Sequence, residues 1–173
     1  MADKSKIPVA MLDGSCKWVD SRDAAAMAGL ESLPAGNKEF SRAIYQRPDG
    51  LFCFSEAIPG TESNFAFRLD KAAGKFSGLL HTHPADASES TFSADDVLTA
   101  NKLGVPSYIR GNGQGQTRRF TPGDPIDTQH IPGSRTRKAG TAQGVLIEPT
   151  TRRDQLEASY ERHKALPNPD YKE

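Results

Sequence analysis

A chain of 173 residues, with 22 Lys and Arg against 22 Asp and Glu, has the size of one domain and a formal net charge of 0. This balance gives no general attraction to nucleic acid or to a membrane surface, and no apolar run approaches the ~18 residues that a membrane span needs. The start of the sequence lacks the apolar core of a signal peptide, and Cys16 and Cys53 form no disulfide framework, so we expect a cytoplasmic protein with two ordinary thiols.

The first predicted element is a loosely ordered N-terminal arm over residues 1–19. The alanine-rich segment 21–33 predicts a helix, with Ser21 as its cap and "PAG" ending it. In the next segment, apolar and aromatic residues surround "RPDG", where Pro48 presets a turn and Gly50 supplies a positive φ. A β-hairpin is therefore expected there.

The later elements alternate between strands and helices before the sequence becomes polar. In order they are a short alternating strand (64–69), an apolar strand (76–83), a second helix (93–104), a second hairpin (106–122), an extended loop from residue 123, an edge strand in "GVLIEP" and a C-terminal helix (152–166). In the second helix, Val97, Leu98 and Leu103 are available for burial. This order predicts an α/β fold with helices packed on a mixed β-sheet.

A pair of histidines carries the strongest chemical signal of the sequence. "HTHP" places His81 and His83 at the end of the apolar strand, where alternation puts both imidazoles on one face. A catalytic zinc site takes three protein ligands and keeps one position for water, so this pair lacks one ligand. Asp96 can supply it if Ser93 caps the second helix, because Asp96 then lies near the strand end. The same Ser-x-x-Asp spacing is typical of a capping box, so a cap without a metal is the alternative.

The order His-x-His-Pro, an eight-residue loop and Ser-x-x-Asp resembles the motif of the JAMM (MPN+/JAB) zinc metalloproteases. The resemblance implies that His81, His83 and Asp96 bind Zn²⁺ and that the Ser93 hydroxyl supports the transition state. Around the motif, residues 20–122 resemble a bacterial JAB-like domain found at the C-terminal ends of polymorphic toxins and effectors. A JAB/MPN-like, cytidine-deaminase-like architecture is therefore expected.

The family also uses an upstream glutamate as the general base for the zinc-bound water. The resemblance leaves four candidates, Glu31, Glu39, Glu56 and Glu62. Glu39 is preferred, since it opens the first predicted strand directly after the N-terminal helix, where the family places this residue. Glu56, at the exit of the hairpin, is the main competitor.

The resemblance implies hydrolysis of peptide or isopeptide bonds in a protein or peptide substrate, including ubiquitin-like conjugates. It further implies a bacterial effector or processing enzyme, with an immunity or other partner protein and export by a leaderless secretion system.

The expected domain layout is an arm (1–19), a catalytic core (20–122) and a peripheral extension (123–173). A catalytically silent MPN-like binding or scaffold module is the alternative function. Barrel hydrolases are excluded because they need about 250 residues, and zinc deaminases because the sequence has no Cys-x-x-Cys.

Overall fold

The computed structural model describes residues 9–33, 39–60, 68–83, 91–110, 117–130 and 138–147. The elements found in these ranges are β1 (Val9–Ala10), α1 (Arg22–Glu31), β2 (Phe40–Gln46), β3 (Phe52–Phe54), β4 (Ile58–Pro59), β5 (Arg68–Leu69), a 3₁₀ helix (Lys71–Ala73), β6 (Lys75–Thr82), α2 (Ala94–Leu103), β7 (Ser107–Arg110), β8 (Thr117–Phe120), β9 (Asp127–His130), β10 (Lys138–Thr141) and β11 (Val145–Ile147). Neither α-helix in this part of the chain is long and apolar enough to cross a membrane. The predicted C-terminal helix (152–166) lies outside the described residues.

A seven-stranded sheet forms the centre of the fold. Its strands lie in the order β11-β8-β7-β6-β2-β3, and β4 pairs with the start of β2. The β6–β7 pair is parallel and the other pairs are antiparallel, so the sheet is mixed. Because parallel neighbours need a crossover, α2 connects β6 to β7. The predicted α/β class with a mixed sheet is confirmed.

Local signals place the first helix and the first hairpin where the sequence predicts them, and β7 and β8 form the antiparallel pair predicted for the second hairpin. Ser21 caps α1, and its side-chain oxygen accepts a hydrogen bond from the Ala24 amide at 3.3 Å. Gly50 has φ 92° in the turn that joins β2 to β3. A side chain at that φ is strained, which explains a glycine at this position.

The two helices cover opposite faces of the sheet. On one face, α1 lies so close that a Cβ atom at Gly29 would be 2.9 Å from Leu80 Cδ2. The buried cluster on this face consists of Val19, Ala24, Ala25, Ala26, Leu30, Leu33, Ile44, Leu80 and Tyr108. On the other face, the cluster around α2 consists of Phe92, Val97, Ala100, Ile109, Phe120 and Ala142.

The expected burial of the second helix is only partly correct. Val97 is buried, but Leu98 is 65% exposed and Leu103 is 43% exposed. Leu98 follows Val97 directly, so the helical rotation of about 100° per residue turns it away from the face that contacts the sheet. The apolar face of α2 is therefore narrow and is formed by Val97 and Ala100.

Residues after 123 contain more structure than the extended loop that the sequence predicts. Strands β9 and β10 form an antiparallel pair, with Thr141 opposite Asp127. Strand β11 then pairs with β8 at the edge of the main sheet, which confirms the predicted edge strand. Between β10 and β11, Ala142 forms an antiparallel bridge with Phe92, a residue that lies just before α2. This part of the chain thus contacts the helix that carries Asp96.

The N-terminal arm is bonded to the β3 edge of the sheet in its described part. Val19 exchanges two backbone hydrogen bonds with Phe52, at 2.9 and 2.7 Å. Cys16 and Cys53 form a disulfide, so the expectation of two ordinary thiols is wrong. Neither spacing nor composition indicates this pairing, because the two residues are brought together by the docking of the arm.

Reduction of the disulfide is expected to destabilise the fold. The bonded residues are 37 positions apart, and closing a loop of this size removes about 4 kcal/mol of chain entropy from the unfolded state at 25 °C. Urea unfolding with and without dithiothreitol measures the difference. The double variant Cys16→Ala/Cys53→Ala is the control and should not respond to the reductant. An unchanged wild-type midpoint under reducing conditions would contradict the prediction.

Candidate metal centre

The two motif histidines lie at the end of β6, at the centre of the sheet. His81 is fully buried and pairs with Ile109 on β7, which belongs to the cluster beneath α2. His83 follows the last residue of β6 and is 9% exposed. The alternation of side chains puts both imidazoles on the face that α2 covers, as the sequence predicts.

The first turn of α2 brings Asp96 to this strand end. Phe92, two residues before the helix, is fully buried and exchanges backbone hydrogen bonds with Ala142 at 2.8 and 3.1 Å. Its ring packs against Phe120 on β8, with 5.8 Å between the ring centroids. These contacts fix the start of the helix over the sheet.

Ser93 and Asp96 form the capping box that their spacing predicts. The Asp96 amide donates to Ser93 Oγ at 3.2 Å, and the Ser93 amide donates to Asp96 Oδ2 at 2.9 Å. Ser93 is exposed, whereas Asp96 is 9% exposed. The cap thus holds the Asp96 carboxylate in place while leaving the serine hydroxyl at the surface.

The Asp96 carboxylate also contacts both histidines, so cap and cluster are compatible. His81 Nε2 lies 3.2 Å from His83 Nε2 and 3.2 Å from Asp96 Oδ1, and His83 Nε2 lies 3.3 Å from Asp96 Oδ2. In a tetrahedral zinc site with bonds of about 2.0–2.1 Å, neighbouring ligand atoms are about 3.3–3.4 Å apart. The donor types and their spacing fit a metal ion, and this buried group can hold one.

The carboxylate in the group formed by His81, His83 and Asp96 favours a positive charge within that group. Burial alone would raise the pKa of Asp96, but His81, together with hydrogen bonds from His83 and the Ser93 amide, holds it well below its ordinary value. Asp96 is therefore ionised at neutral pH. A buried carboxylate needs a compensating cation, which here is either a protonated imidazole or a metal ion.

Glu39 lies at the same end of the sheet, immediately before β2. In the β2–β6 pairing, Ser41 is opposite His81 and Arg42 is opposite Leu80. Extending this antiparallel register by two residues puts Glu39 opposite His83. Directly opposed residues share a face of the sheet, so Glu39 lies on the same face as the histidines.

The surroundings of Glu39 change its acidity. Burial raises the pKa of the carboxyl above its ordinary value, and the charge of Asp96 acts in the same direction, while His81 and His83 oppose it. All three members of the cluster are thus close enough to act on Glu39. Glu56 and Glu31 are exposed, and Glu62 lies outside the described residues.

Sequence reasoning missed the residues that support the cluster. Ala142 holds Phe92 through the bridge, and Gly144 lets the chain pass, since a Cβ atom there would be 2.5 Å from the Arg119 carbonyl oxygen and 2.7 Å from the Phe92 ring. A positive φ of 67° at Gly144 also favours glycine. A glycine in the sequence indicates a turn, but the contact of Gly144 with Phe92 follows only from the tertiary structure.

Comparison of the chain with models of protein families, with curated proteins and with solved structures finds no match.

Proposed function

We propose that this chain is a zinc-dependent hydrolase of peptide or isopeptide bonds with a JAB/MPN-like architecture. The convergence of His81 Nε2, His83 Nε2 and a carboxylate oxygen of Asp96, at separations of 3.2–3.3 Å, is the observation that carries the proposal. Two imidazoles and one carboxylate form a donor set that suits zinc. Zinc in such a site supplies a water nucleophile at neutral pH by lowering the pKa of that water to about 7.

Glu39 is the proposed general base. It lies on the histidine-bearing face, and its raised pKa makes its carboxylate a stronger proton acceptor than an ordinary glutamate. A base at this position takes a proton from the attacking water and returns it to the leaving amine. An amide is a suitable substrate because its amine leaves only when it is protonated.

Ser93 is the proposed donor to the substrate. Its Oγ accepts the hydrogen bond of the Asp96 amide, so the hydroxyl proton remains available to a group outside the helix. Ser93 is exposed, so we expect that a substrate carbonyl can reach its hydroxyl. A hydrogen bond to the carbonyl oxygen stabilises the negative charge that this oxygen gains during the reaction.

The Cys16–Cys53 disulfide supports the proposal that this chain is an exported effector or toxin. Structural disulfides persist in oxidising compartments and are rare in a reducing cytoplasm. Export would take the enzyme to a protein substrate outside the producing cell, and an immunity protein would be the partner within it. Recovery of the oxidised chain from the culture medium would support this part of the proposal.

Metal analysis of the full chain tests the proposed function. After loading with zinc and removal of the excess, the wild type should retain about one zinc ion per chain, the stoichiometry of a single-ion site. A set of fluorogenic peptides and a lysine-isopeptide probe should be hydrolysed by the loaded protein only, and a chelator should stop the reaction. Absence of retained zinc would overturn the metal site. Tight zinc binding without hydrolysis of any probe would favour the silent binding module.

A further inference from the structure

Ser41 is a buried hydroxyl beside the ligand cluster that none of the roles above uses. It is fully buried, and its Oγ has no hydrogen-bond partner within the described ranges. A buried hydroxyl without a partner destabilises a fold, and alanine at the same position would avoid this cost. A serine at this position therefore needs an explanation.

The sheet register shows what Ser41 faces. It pairs with Ile58 of β4 on one side and with His81 of β6 on the other. Directly opposed residues of an antiparallel pair have Cβ atoms about 4.5–5.5 Å apart on the same face. Ile58 is apolar, so the imidazole of His81 is the polar neighbour of Ser41 in this row of the sheet.

The orientation of His81 determines which of its two nitrogen atoms can serve the cluster. Nε2 is the atom that lies 3.2 Å from both His83 and Asp96. In a neutral imidazole with a free Nε2 lone pair, the proton is on Nδ1, and a hydrogen bond at Nδ1 fixes this tautomer. Residues that make such bonds to ligand histidines raise metal affinity.

We infer that Ser41 is a positioning residue, whose hydroxyl accepts a hydrogen bond from His81 Nδ1–H through one buried water and thereby presents Nε2 to the metal ion. The inference rests on the proposed function, since it concerns the same metal site. A water suits this link because it hydrogen-bonds both groups and costs little more than a direct contact. Ser41 acts through His81 and does not touch the substrate.

Ser107 provides a matched control on the same sheet. It is 1% exposed, and its Oγ also has no partner among the described residues. Ser107 pairs with Leu79 and Phe120, so its row of the sheet does not contain a ligand histidine. Ser41→Ala and Ser107→Ala thus remove equivalent buried hydroxyls, of which one faces His81.

Zinc affinity and the tautomer of His81 in the zinc-loaded protein test the inference. By chelator competition, Ser41→Ala should bind zinc at least about 10-fold more weakly than the wild type, Ser107→Ala should match the wild type, and Ser41→Thr should recover most of the affinity. In ¹⁵N-histidine NMR spectra of the zinc-loaded wild type, His81 should bind zinc through Nε2 and carry its proton on Nδ1, and Ser41→Ala should shift the Nδ1 signal whereas Ser107→Ala should not.

Equal zinc affinities of the Ser41→Ala and Ser107→Ala variants would overturn the inference and leave the proposed function intact. Binding of zinc by His81 through Nδ1, with the proton on Nε2, in the loaded wild type would also overturn it, and this measurement needs no variant to fold. A wild type that binds no zinc would overturn the proposed function, and the inference with it. The two failures are therefore distinguishable.

Discussion

Replacement of Glu39 by glutamine is expected to lower kcat for amide hydrolysis by at least about 100-fold, the contribution of a general base, while zinc affinity stays at the wild-type value. Glutamine has the shape of glutamate but does not accept a proton. Glu39 is not a member of the ligand group, so its change leaves His81, His83 and Asp96 in place. Steady-state kinetics and chelator competition on the same preparation separate the two effects.

Glu56→Gln is the matched control for this variant. Glu56 is exposed. Its contact with Met11 is a hydrogen bond of 2.6 Å from the Glu56 backbone amide to the Met11 carbonyl, which glutamine at this position would keep. Its replacement should leave kcat unchanged. Full hydrolysis by zinc-loaded Glu39→Gln would exclude Glu39 as the base, and a large loss in Glu56→Gln would identify the competitor.

Local chemistry made a large part of the fold predictable. The cap at Ser21, the turn at Gly50 and the Ser93 cap depend on residues within a few positions of one another. The histidine pair is similar, since the alternation of one strand is enough to put His81 and His83 on one face. Their convergence with Asp96 was predictable because the helix cap determines where its third residue lies.

The pairing of distant segments was not predictable in the same way. The disulfide depends on the arm lying along β3, and the bridge between Phe92 and Ala142 depends on the chain returning past α2. Ser41 illustrates the same limit within the site, because only the register of β2 against β6 places it opposite His81. Hydrophobic patterns indicate which face of a strand is buried but not which residue lies across from it.

The prediction from the sequence was also wrong where tertiary contacts outweigh the local signals. Breaker residues and polar composition predict a loop after residue 123, yet β9 and β10 pair there, and β11 joins the main sheet. Strand β10 contacts α2, and a strand that gains stability from such tertiary contacts needs little intrinsic preference of its own. The same region thus contributes to holding the helix that carries Asp96.

The double function of Asp96 leads to the second large effect, because cap and ligand can be separated by two variants. Asp96→Asn keeps an oxygen that accepts the hydrogen bond of the Ser93 amide. It loses the anionic metal-binding oxygen that faces both histidines. Zinc affinity should fall by more than the roughly 10–100-fold that loss of a supporting residue costs. Isothermal titration with zinc measures this change.

Ser93→Ala should give the opposite result. It removes the side-chain oxygen that caps α2, which costs about 1 kcal/mol of unfolding free energy, but it leaves the three ligand groups unchanged. Zinc affinity should therefore stay close to that of the wild type, while kcat falls if the hydroxyl donates to the substrate. Zinc binding by Asp96→Asn with wild-type affinity would mean that Asp96 caps the helix but is not a metal ligand. A loss of zinc in Ser93→Ala as large as that in Asp96→Asn would mean that the helix start, rather than the carboxylate charge, controls metal binding.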